Sequence, residues 1–165
     1  MDVIVDDHLL LQVLLNEEPP DLRAPGAQIW TTGLWYHRLC RAISNQAVAG
    51  ALSRRLGRAD PTIATSAARA ITTLPETVGL ISLRELAWPM AQLLNDGFRL
   101  NLMSLEALAA ADRRGAELCL ATTDENPPLL SAAASRGTPI RLIDGRRSAS
   151  VNLVPRSDRG PGRTV

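Results

Sequence analysis

The sequence predicts an α/β domain, a three-layer α/β/α sandwich around a parallel sheet of four or five strands. Short apolar runs alternate with helical patterns as far as Asp144, which is the pattern of a parallel sheet with crossover helices. The opening run Val3-Ile4-Val5 is continuously β-branched, as in a strand covered on both faces. A length of 165 residues with 45% hydrophobic content suits one domain with a real core, assigned to 1–144.

The elements follow in order. Val3-Ile4-Val5 is read as a central strand that ends on Asp6-Asp7. Residues 8–15 have helical spacing, with Asp7 as N-cap. Pro19-Pro20 and Pro25-Gly26 enforce a loop before a β-rich run over 28–32. Gly33 opens a helix over 34–48, continued or interrupted before Leu56, and a further helix over 63–74 stops at Pro75. Val78-Gly79-Leu80-Ile81 is a third strand, and Ser82 caps a helix over 83–94 with Pro89 in its early turns.

The next unit is a helix over 104–114 stopped by Gly115, then a strand over 117–124 that ends, like the first, on a carboxylate. Pro127-Pro128 starts a helix to Ala134, Gly137 follows it, and 140–144 is the last strand. From Gly145 onward Ser, Arg, Gly and Pro dominate without periodicity, so 145–165 is expected to be a disordered basic tail.

Charge separates the two parts. Residues 1–144 hold 13 Arg against 16 acids, and 145–165 hold 5 Arg against one. A mildly acidic body lacks the clustered positive field that phosphate binding needs. Every basic residue is Arg, a usage typical of GC-rich bacterial genomes. Cys40 and Cys119 are too few for a disulfide framework or zinc site and are read as buried thiols. No run is long enough to span a bilayer and no basic n-region precedes the first apolar stretch, so a cytoplasmic protein is expected.

The crossover rule places the carboxyl ends of parallel strands on one edge, where ligands gather. Asp6, Asp124 and Asp144 are expected there, and carboxylates converging from separate strands suit a hard cation such as Mg²⁺.

Val3-Ile4-Val5-Asp6-Asp7-His8-Leu9-Leu10 and Gly115-Ala116-Glu117-Leu118-Cys119-Leu120-Ala121-Thr122-Thr123-Asp124 resemble the first strand and the "GA-x-L-x-T-x-D" strand of the PIN domain. The resemblance spans most of 1–144, through short motifs whose order and spacing agree. It implies the PIN-like fold and, as in the VapC-type toxins of toxin-antitoxin pairs, an endoribonuclease using Mg²⁺ or Mn²⁺ held by about four acids. It further implies RNA and an antitoxin-like protein as partners, and pairing as a homodimer.

Carried over by position, Asp6 and Asp124 match two of the family's acids and are the candidate catalytic and metal-binding residues. Arg38 stands where a Glu belongs and Ser104 where an Asp belongs, so the acidic cluster is incomplete. Glu106 lies near the Ser104 position, but two residues along a helix turn a side chain by roughly 200°. Asp7, Arg38 and Ser104 are expected to line the site, and a guanidinium there competes with a dication.

Plainer readings stand beside these. Asp6 and Asp7 serve as helix caps, Asp124 and Asp144 as turn residues, and His8 as a helix-start residue. Trp30, Trp35 and Tyr36 fit a core better than base stacking, Arg41 neighbours Arg38 on the helix, and Arg38 pairs with Asp6 or Asp124. Two functions follow from these residues: a metal-dependent ribonuclease with a reduced ligand set, or a non-catalytic PIN-like module that binds RNA or a protein.

Overall fold

Five strands form one parallel sheet in the computed structural model of the chain: β1 (Val3–Val5), β2 (Ile29–Thr32), β3 (Val78–Ile81), β4 (Glu117–Ala121) and β5 (Ile140–Ile143). Their order is β3-β2-β1-β4-β5, so the first strand is the middle one, as its unbroken apolar run requires. Register sets Val3 beside Ile29 on one side and beside Glu117 on the other. The structure describes residues 1–44, 54 and 57–144; the expected tail and the end of the helix over 34–48 lie outside the described residues.

Among the described residues six helices complete the three layers: α1 (Asp7–Leu14), α2 (Gly33–Ser44), α3 (Pro61–Thr72), α4 (Leu83–Asn95), α5 (Leu102–Arg114) and α6 (Pro127–Arg136). Alternation along the strands splits the core in two. Val3, Val5, Ile29 and Val78 face Leu9, Leu10, Leu39 and Ile71 of α1, α2 and α3. Ile4, Ile81, Leu118 and Leu120 face Leu86, Leu108 and Ala133 of α4, α5 and α6. Each such fully buried Leu or Ile contributes roughly 1.5–3 kcal/mol.

Several boundaries move for local reasons. Asp6, not Asp7, is the N-cap of α1, because its side chain reaches the Leu9 amide. Asn101 caps α5 through the Ser104 amide, so that helix starts at Leu102 rather than 104. β4 ends at Ala121, and Thr122–Asp124 form a short 3₁₀ turn that lifts Asp124 off the strand. Pro89 is the seventh residue of α4, deeper than expected. Ser82 precedes α4, yet its hydroxyl lies 3.3 Å from the Glu85 carboxylate and caps no amide. Cys119 is buried, whereas Cys40 is only partly so.

Two glycines are required by geometry. Gly115 ends α5 at φ 58°, a left-handed conformation that costs glycine nothing. Gly79 of β3 leaves room for the Trp30 indole of β2; a Cβ there would lie 2.0 Å from the ring.

Candidate functional site

The connection from β3 to β4 passes over β2 and β1, so the chain reverses its direction across the sheet between β1 and β4, the crevice where α/β sheets hold ligands. Asp6 closes the bottom of that crevice. It is fully buried, and its two carboxylate oxygens each accept a backbone N–H at 2.8 Å: Oδ1 from Leu9, Oδ2 from Ala121 at the end of β4. Burial pushes the Asp6 carboxyl up to about 7 against the pull of those two amides, and the neighbouring Asp7 and Asp124 add to the rise.

Above Asp6 sits an ionic clamp. α2 buries Trp35 and Leu39, which leaves Arg38 directed across the carboxyl ends of β1 and β4. Its Nε and Nη2 donate to the two oxygens of Asp7, and Nη2 also donates to Asp124 Oδ2 at 2.5 Å. Asp7 is wholly buried, while Asp124 is 36% exposed. Burial opposes the charge on Arg38, but the two carboxylates outweigh it and raise its pKa. Of the two partners anticipated for Arg38, Asp124 is found and Asp6 is not: the backbone amides already hold Asp6, and Asp7 takes the guanidinium in its place.

His8 completes the rim, with Nδ1 3.7 Å from Asp7 and 4.0 Å from Asp124 and without a hydrogen-bond partner. Ser104 is buried, and its hydroxyl accepts from Asn126 Nδ2 at 3.0 Å. A cavity of about 200 Å³ opens beside the clamp, lined among others by Trp35, Arg38, Ser104, Asp124 and Asn126. Asn101 and Asn126, the N-caps of α5 and α6, were not singled out from the sequence, although an Asn just before a helical pattern is the usual sign of such a cap.

Glu106 is placed elsewhere. It is fully buried, and Oε2 accepts the Leu34 amide at 3.0 Å, so it caps the N-terminus of α2 from α5. Burial raises its pKa, against the pull of the Thr32 hydroxyl and of the Leu34 and Gly33 amides. Among the described residues, the group of His, Cys, Asp or Glu side chains able to converge on one ion is Asp6, Asp7 and His8, with ligand atoms within 4.8 Å of one another, and Glu106 is not part of it.

The donor set does not fit a divalent cation as Arg38 occupies it. Both Asp7 oxygens are bonded to the Arg38 guanidinium, whose charge repels a dication, and each Asp6 oxygen already accepts a backbone N–H, which leaves His8 Nδ1 as the one ligand atom of the group without a partner. The two other positions to which the resemblance assigns acids carry a guanidinium and a hydroxyl. No protein-family model matches the chain, and no curated protein matches it. The resemblance to PIN domains therefore rests on the quoted residues themselves. No helix among the described residues is long and apolar enough to cross a membrane.

Proposed function

We propose that the chain is a PIN-like module in which Arg38 takes the place of the metal ion, and that it acts by binding a partner rather than by cutting RNA. The observation that carries this reading is the single guanidinium bonded to Asp7 and Asp124 together. A fixed internal cation ties the ends of β1 and β4 as a dication would, yet it offers no open coordination position for an attacking water. The partner is a protein rather than RNA, because Asp124 and Glu125 outnumber Arg38 along the cavity and the Arg38 guanidinium is already bonded to carboxylates, which leaves no free positive charge there for phosphate.

Calorimetric titration of the full chain with Mn²⁺ tests the proposal, with Asp124→Asn as control. No saturable binding is expected in either protein. The competing reading, a reduced-ligand ribonuclease, draws support from the Asp6, Asp7 and His8 grouping. Stoichiometric Mn²⁺ binding that disappears in Asp124→Asn would favour it and overturn the binding-module reading.

A further inference from the structure

Charge divides this chain between its described body and the segment that follows β5. Residues 1–144 carry 13 Arg against 16 acids, and residues 145–165 carry 5 Arg against one acid, Asp158. The acids of the body are least compensated beside the clamp. Arg38 is engaged by Asp7 through Nε and Nη2, and Asp124 shares only the Nη2 group. Glu125, next along the chain and exposed, pairs with no basic side chain among the described residues. Asp124 and Glu125 both line the cavity of about 200 Å³ at this edge.

β5 delivers the basic segment to this spot. It runs parallel to β4 with Ile143 beside Ala121, so both strands end on the edge that carries Asp124 and Glu125. Neighbouring strands lie about 4.8 Å apart, which puts the end of β5 about 10 Å from that of β1, and three extended residues cover about 10 Å. Arg146 and Arg147, three and four residues after Ile143, are therefore within reach of the cavity. We propose that the segment 145–165 turns back over the carboxyl edge and docks on this cavity, with Arg146 and Arg147 as its anchor and Asp124 and Glu125 as the carboxylates that receive them.

The cavity suits an arginine side chain. Small-molecule pockets usually measure about 300–1,000 Å³, so this smaller recess matches one long side chain better than a free ligand. Trp35, Leu120 and Leu129, all buried, give it an apolar wall for the methylene stem, while the two carboxylates stand ready for the guanidinium. A segment tethered this close meets the cavity at an effective concentration in the millimolar range, so contacts too weak to hold a free peptide suffice. Docking covers the edge that the binding-module reading leaves open to a protein partner. That regulatory consequence rests on the binding-module reading; the docking itself rests on charge and position.

Limited tryptic digestion of the full chain is the test, read by mass spectrometry as the initial rate of cleavage after Arg146 and Arg147. A synthetic peptide of residues 140–165 is the undocked reference at each salt concentration. The wild type is expected to be cut about 10-fold more slowly than the peptide, the occupancy that one charge-assisted hydrogen-bonded contact supplies. Glu125→Gln is expected to lose most of that protection, with the fold retained by circular dichroism because the position is exposed. The wild type is expected to lose it too at about 1 M salt, where the Debye length is about 3 Å. Glu76→Gln, at an exposed acid just before β3 and so at the opposite edge, is expected to keep it. Equal rates for wild type and peptide overturn the proposal. Protection unchanged in Glu125→Gln also overturns it, since shielding by β5 alone then explains the slow cleavage, and an equal loss in Glu76→Gln does so by showing diffuse attraction in place of a site. The Mn²⁺ titration reads the clamp and this digestion reads the segment, so either can fail without the other.

Discussion

Arg38 of α2 and Asp7 at the start of α1 form a two-point guanidinium–carboxylate pair, with the carboxylate wholly buried and the guanidinium one-third exposed. The asymmetry decides what each partner contributes. Arg38 can turn toward water if Asp7 is lost, but among the described residues no other Arg pairs with Asp7.

Arg38→Ala should therefore destabilise the protein by about 3 kcal/mol, the cost of leaving a buried carboxylate unpaired. The double substitution Asp7→Asn with Arg38→Ala should recover most of that loss, because no charge is left buried. Urea unfolding of the two single variants and the double variant gives the coupling energy, and additive effects would contradict the pairing.

Asp124→Asn should cost much less, about 1 kcal/mol or under, since its carboxylate is 36% exposed and screened by solvent. Adding salt should narrow the difference between wild type and this variant. It should leave the effect of Asp7→Asn nearly unchanged.

Asp6 makes stability depend on pH in an unusual direction. Its folded value of about 7 lies above its ordinary 3.8, so between those values the folded state holds more protons than the unfolded state. Stability contributed by Asp6 is thus full below pH 4 and declines as pH rises toward 7, by about 4 kcal/mol at most. Glu106, also raised by burial, acts in the same sense. Thermal unfolding of Asp6→Asn across this range should show a flatter profile than the wild type. The variant should also be less stable at low pH, because its amide nitrogen meets the Ala121 N–H as a second donor.

Gly79→Ala should be strongly destabilising despite its small size, because the new methyl falls within the Trp30 ring. Losses of about 1–3 kcal/mol are usual for such overpacking. Replacing Trp30 by Leu in the same chain should relieve the clash, so the Gly79→Ala penalty measured in that background should shrink.

The elements were largely readable from local pattern. A β-branched run followed by two carboxylates, glycines after helical repeats and prolines at helix starts each act over a few residues, and the strands and helices lie where those signals put them. The errors came from competing local donors and acceptors. Two adjacent aspartates before α1 are indistinguishable as caps until one is seen to reach Leu9, and only the 3₁₀ turn shows that β4 stops before Asp124.

The sequence by itself determined a parallel α/β sandwich with Asp6 and Asp124 at one edge of its sheet, because periodicity and crossover handedness are properties of the chain alone. Only the tertiary structure decided that Asp6 serves two backbone amides, that Glu106 caps α2, and that Arg38 joins Asp7 and Asp124. Apart from the local Asp6–Leu9 cap, those contacts span 31 to 115 residues, and the choice among several nearby carboxylates depends on burial and hydrogen-bond direction, which no spacing along the chain encodes.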